Sequence, residues 1–188
     1  MSRVFMSRAL LRLFLLLLLL PGSASAADLG IAAFEGVWQG TAVSESAVSA
    51  NFQLTSRDID VTIRAGGGGG FNIVWNTVQR QKGDPNNPRA KLKSTKMQFA
   101  PLRAGVWRGA DNSDPLTTAS SAASPYAWAY IKDRGLRIVT LRIYPDGRHE
   151  TQIYNRTLSG TGMVLEFVRN VDGVQVRQAS GRLIKVAK

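Results

Sequence analysis

The chain has 188 residues, with 24 Lys and Arg against 13 Asp and Glu, a net charge of +11, one histidine and no cysteine. Without cysteine there is no disulfide and no lipid attached through a thiol, and a zinc site of the usual His and Cys type is excluded. The length suits one domain with a real core, and the basic balance favours anionic surroundings such as lipid headgroups or polyanionic glycans, with a solvated basic surface as the plain reading.

Residues 1–26 read as a cleavable export signal. Arg3, Arg8 and Arg12 give a basic start, and an apolar run continues to Leu20. Pro21 and Gly22 then break the chain, and Ala24-Ser25-Ala26 supplies the small-x-small pattern of a signal peptidase site. A membrane anchor is the alternative, but it needs about 20 continuous apolar residues, and this run is shorter and ends at a proline. Cleavage after Ala26 removes three arginines and no acid, so 162 of the 188 residues remain and carry +8 of the +11. The expected compartment is the periplasm or the exterior, with no transmembrane span after cleavage. The expected organisation is signal peptide 1–26 followed by one domain, 27–188.

From Phe34 onward the pattern is β. Short runs rich in Val, Ile, Thr and aromatic residues are punctuated by Gly, Pro, Asn and Asp. Strands are expected over Phe34–Val43, around Phe52–Leu54, over Asp58–Arg64 and over Phe71–Val78. In the third of these, Ile59, Val61 and Ile63 alternate with Asp58 and Asp60, which predicts one apolar and one wet face. Asp58 and Asp60 also form a like-charged pair on one face, a geometry that can raise one carboxyl pKa. The plain reading is an exposed polar face.

The five glycines Gly66–Gly70 stand between two strands and predict a hairpin loop. A phosphate-binding loop would need a helix after the glycines, and a strand follows instead. Residues 81–90 are polar and turn-rich. Lys93–Phe99 and Val106–Arg108 read as strands, and residues 110–124 as a long loop or lid. Within it Asp111-Asn112-Ser113-Asp114 is oxygen-rich, yet lacks the loop glycine and distal glutamate of a calcium loop, and reads as local turns.

The C-terminal third predicts strands at Tyr126–Ile131, Leu136–Tyr144, His149–Asn155, Met163–Arg169 and Val174–Val186. Asp133-Arg134-Gly135, Pro145-Asp146-Gly147, Ser159–Gly162 and Asn170–Gly173 join them as tight turns. Gly181 is expected to mark a bulge or break in the last, long strand. The fold class expected is all-β: an antiparallel up-and-down meander of about 8–10 strands, which removes its edges by closing into a barrel.

Gly36-Val37-Trp38 on the first strand, with a meander behind it, resembles the calycin superfamily of lipocalin and avidin-like barrels. The resemblance covers plan and length more than sequence. It implies that Gly36 and Trp38 help close one end of the barrel, and that an arginine from the C-terminal strand, Arg182 or less well Arg177, packs on the indole. Gly-Val-Trp-x-Gly recurs at Gly105–Gly109, which is either a faint duplication or chance.

The chemical inventory is thin. The sole histidine, His149, follows a turn where a solvated side chain is expected, so no catalytic residue, metal site or cofactor is assigned. Aromatic residues are the better clue. Tyr126, Trp128 and Tyr130 share the parity of one strand, and with Trp75 they form the candidate ligand-binding set. Lining a cavity is one role for that ladder, and cross-strand packing is the other. The leading expectation is a non-enzymatic carrier of a small, partly apolar ligand inside the barrel. The alternative is an envelope protein that docks on anionic surfaces or a protein partner. Nucleic acid is not an expected partner for an exported chain.

Overall fold

Alternation of inner and outer side chains, with a turn every ten or so residues, produces one continuous antiparallel ladder. The computed structural model describes residues 29–49, 54–79, 90–112 and 124–188. The strands are β1 (Gly36–Ser46), β2 (Leu54–Ala65), β3 (Phe71–Gln79), β4 (Lys91–Arg103), β5 (Val106–Gly109), β6 (Tyr126–Lys132), β7 (Gly135–Ile143), β8 (His149–Ser159), β9 (Gly162–Val171) and β10 (Val174–Ala187). Each strand pairs antiparallel with the next, and β10 pairs back on β1, so the sheet closes as a ten-stranded up-and-down barrel. The expected all-β class and closed meander are thus both present. The expected runs around Phe52–Leu54 and Asp58–Arg64 belong to one strand where they are described, β2. Gly181 does not break β10. It pairs regularly with Ala42 and Leu165, and the bulges fall at Val37/Trp38 and between Gln175 and Arg177.

Closure assigns every strand residue to the lumen or the exterior. On β2, Ile59, Val61 and Ile63 enter the core while Asp60 is exposed, as the alternation predicts. The core fills one end of the barrel. Phe71 stacks on Phe99 with centroids 4.7 Å apart, and Trp107 meets Phe71 edge-on at 5.3 Å. A 3-10 turn, Ile31–Phe34, crosses this end, and Phe34 is wholly buried beneath it. The glycine run forms the expected β2–β3 connection at the same end, and Gly68 and Gly69 take positive φ there.

Trp38 and Trp107 are both buried at the closed end, and both indoles donate to backbone oxygens, Phe34 O at 2.9 Å and Gly69 O at 2.8 Å. The cation over Trp38 is not the expected arginine. Lys185 Nζ lies 5.2 Å from the ring centroid, whereas Arg182 is an exposed residue between the inward-facing Gly181 and Leu183. The regular β1–β10 register is the cause: it sets Trp38 opposite Lys185 and Arg182 three residues further along, opposite Thr41. Gly36 makes room for the lysine: a Cβ there would lie 2.4 Å from Lys185 Cε.

Candidate functional site

The other end of the barrel is hollow. A cavity of about 580 Å³ opens there, and its described lining includes Ile59, Trp75, Met97, Tyr154, Leu165 and Phe167 as the apolar and aromatic part. It exists because of residue size. On β1 the inner face carries Gly40, Ala42, Ser44 and Ser46, and facing β10 carries Ala179 and Gly181. Such short side chains leave lumen volume that the bulky residues of the closed end do not reach. The backbones also approach closely: a Cβ on Gly181 would lie 2.3 Å from Thr41 O.

Strand β8 supplies the polar wall. Its residues at a spacing of two, Glu150, Gln152, Tyr154 and Arg156, all face the lumen. The Tyr154 hydroxyl donates to Gln152 Oε1, and Gln152 Nε2 donates to Glu150 Oε1. Arg169 Nη2 donates to Glu150 Oε2 at 2.6 Å, and the Tyr144 hydroxyl donates to the same oxygen at 2.9 Å. Burial by itself raises the Glu150 pKa. The hydrogen bonds from Arg169, Gln152 and Tyr144 outweigh that and hold it at about 2. Burial pushes the Tyr154 phenol up to about 12, so it remains a donor.

The aromatic wall is continuous with this network. Tyr154 lies 4.9 Å from Trp75 on one side and 4.9 Å from Phe167 on the other. Arg156 is 1% exposed, with its guanidinium carbon 5.1 Å from the Trp75 centroid and 5.6 Å from that of Tyr154. Its Nε and Nη1 have no hydrogen-bond partner. Nearer the mouth, Arg57, Lys93 and Arg177 also line the cavity. Burial lowers the pKa of Arg57, with the charge of Arg177 adding to it. Lys93 is lowered by burial first, then by Arg169, Arg177 and Arg57, partly offset by Glu150. These cations therefore act on one another electrostatically.

Of the expected ligand-binding set, only Trp75 lies in this cavity. Tyr126, Trp128 and Tyr130 alternate with Ala127, Ala129 and Ile131, and it is the latter three that enter the core. The small alanines are the inward residues because the lumen there is already filled by neighbours such as Trp107, the β5 register partner of Ala129. The three rings therefore lie on the outer face. Trp128 is registered beside Val139, which is 9% exposed although it points outward. Tyr130 accepts a hydrogen bond from Arg137 Nη1 at 2.9 Å, with the guanidinium carbon 5.6 Å from its ring. Cross-strand packing is what these contacts describe.

The remaining expected chemistry resolves simply. His149 is exposed, with its Nδ1 3.3 Å from Asp172. Asn112 uses its amide to pair with the backbone of Ala127, accepting at 2.8 Å and donating at 2.7 Å, so it extends the β5–β6 ladder. Ser113 and Asp114 lie outside the described residues, as do residues 81–89 and the candidate signal 1–26. Among the described residues no group of three or more His, Cys, Asp or Glu is arranged to hold a metal.

The polar lumen is what sequence reasoning missed. Its signal was the alternation Glu150-x-Gln152-x-Tyr154-x-Arg156, a strand with polar residues at every second position. Without the closed register nothing says that this face is the inner one.

No protein-family model matches the chain, and no curated protein matches it. Among solved structures, it is similar to the S-type phycobiliprotein lyase CPES from Guillardia theta, with a TM-score of 0.37 and 10% identity over 84% of this chain and 93% of that one. A likeness that loose says nothing about what this barrel binds.

Proposed function

We propose that the protein is an exported binding protein that holds a small, partly apolar molecule inside its barrel. The observation that carries this is the cavity of about 580 Å³, floored by apolar side chains and walled by Trp75, Tyr154 and Phe167. That volume is within the range of small-molecule sites, and the mixture of apolar wall and a few placed polar groups is their usual chemistry. Calycin-like barrels hold their ligands in the same part of the fold, and the Gly36-Val37-Trp38 closing strand supports that kinship.

Binding fits the titratable groups better than catalysis does. Glu150 at about 2 stays ionised and Tyr154 at about 12 stays protonated across the neutral range, so neither is poised to exchange a proton there. Trp75 provides the test. A ligand seated in the cavity quenches or shifts Trp75 emission saturably. Trp75→Phe removes that change while circular dichroism remains that of the barrel. Ligand-insensitive emission across a panel of amphipathic molecules, with no copurifying small molecule by mass spectrometry, would sink the proposal.

A further inference from the structure

The cavity is charged in one sense. Its described lining includes seven basic residues, Arg57, Lys93, Lys96, Arg142, Arg156, Arg169 and Arg177, and two acidic ones, Asp111 and Glu150. Glu150 is engaged by Arg169, Tyr144 and Gln152. The lining thus holds more cations than carboxylates.

Arg156 is the extreme case. An arginine this buried is normally held by a carboxylate, because a guanidinium removed from water loses hydration that only an anion or several acceptors can replace. Here Trp75 and Tyr154 supply ring faces, while Nε and Nη1 find no acceptor. Burial pushes the Arg156 pKa down to about 10, so the group is still a cation at neutral pH. The same shortage recurs toward the mouth, where the Nε atoms of Arg57 and Arg177 are buried and also lack partners. A folded chain leaves such donors unmatched at a cost, and ligand sites are where that cost is recovered.

We infer that the ligand of this cavity is an organic oxyanion: a molecule whose carboxylate or phosphate pairs with the guanidinium of Arg156, and whose apolar or ring-bearing body lies along Trp75, Tyr154 and Phe167. Arginine suits this role because its planar donors match the two oxygens of a carboxylate or phosphate. Arg57, Lys93 and Arg177 make the entrance positive and attract the same ligands from solution, so association slows as salt is added. The inference rests on the reading of the barrel as a small-molecule binding protein and names the chemical class that it holds.

The test compares two fluorescent probes with the same kind of aromatic body, anionic anilinonaphthalene sulfonate and neutral N-phenylnaphthylamine, on the folded mature chain. The anionic probe is expected to bind at least about tenfold more tightly, the equivalent of one charge-assisted hydrogen bond. Arg156→Met keeps the volume and removes the charge. It is expected to abolish most of that preference while neutral-probe binding stays within about twofold of the parent. Arg177→Gln, nearer the mouth, should reduce the preference partially, and Arg64→Gln on the exposed outer surface should leave it unchanged. Displacement by decanoate and by decyl phosphate, each measured against decanol, separates a carboxylate from a phosphate head group. Equal binding of the two probes, or a preference untouched by both Arg156→Met and Arg177→Gln, overturns the oxyanion inference and leaves the binding cavity standing. Failure of both probes and all three competitors to bind overturns the cavity reading as well.

Discussion

At the scale of single residues, Glu150 shows how a lumen of mostly positive charge is kept in order. Its carboxylate gathers Arg169, Gln152 and Tyr144, and through Gln152 it orients Tyr154 beside Trp75. The folded pKa of about 2 lies below the ordinary 4.5, so the ionised form stabilises the fold. That contribution is complete above the unfolded value and is lost as pH falls from 4.5 toward 2. Replacing Glu150 with Gln removes it and leaves Arg169 without its anion. Urea unfolding near neutral pH should show Glu150→Gln less stable by about 3 kcal/mol at most. The gap between variant and parent should close as pH falls through that window. A gap that stays constant with pH would show that the carboxylate charge is not the stabilising feature.

At the scale of elements, the seam between β1 and β10 decides whether the meander is a barrel. The two strands pair from Val37 opposite Ala187 to Ser46 opposite Arg177, and their inner faces are made of Gly, Ala and Ser over much of that length. Gly181 is one point of very close approach, with Thr41 O and the Cα and Cβ of Ala42 all within 3 Å of where its Cβ would stand. Gly181→Val should therefore force the seam apart and cost at least about 2 kcal/mol in chemical denaturation, the scale of an overpacked core. Gly67 is the matched control, because a Cβ there meets nothing within 4 Å. Gly67→Ala should change stability by less than about 0.5 kcal/mol. Comparable losses in the two variants would mean that the seam is not tightly packed.

At the scale of the whole molecule, the barrel separates two kinds of surface. The closed end is sealed by Phe34, Trp38 and Trp107, and the open end gathers the basic residues around the cavity. The exterior keeps apolar residues as well, with Val43, Ile184 and Val186 exposed on the β1–β10 side. Export remains the proposal made from residues 1–26. Its expected outcome is a mature chain in the periplasmic or extracellular fraction whose N-terminal sequence begins at Ala27, read by Edman chemistry or mass spectrometry. An unprocessed chain retained in the cytosol would contradict it.

What the sequence settled by itself was the path of the chain. Period-two alternation fixed which residues are strands, as on β2 where Ile59, Val61 and Ile63 are buried. Gly- and Asp-rich turns fixed that successive strands pair, so the meander from Tyr126 to Val186 was legible almost strand for strand. Alternation does not say which of a strand's two faces is the inner one when both are substantial. Tyr126, Trp128 and Tyr130 have the larger rings, yet Ala127, Ala129 and Ile131 are buried, because lumen volume at that height is shared among strands distant in sequence. The same holds for the site. Arg57, Arg156, Arg169 and Arg177 read one by one as scattered surface charge, and only barrel closure turns them toward one cavity. The swap of Arg182 for Lys185 over Trp38 has the same origin, a β1–β10 register that sets Trp38 opposite Lys185 and Thr41 opposite Arg182 and that no local propensity announces. Local periodicity reports on neighbours along the chain. The interior of a barrel is set by register and volume across all ten strands at once, and that is why the cavity and its charge belonged to the tertiary structure alone.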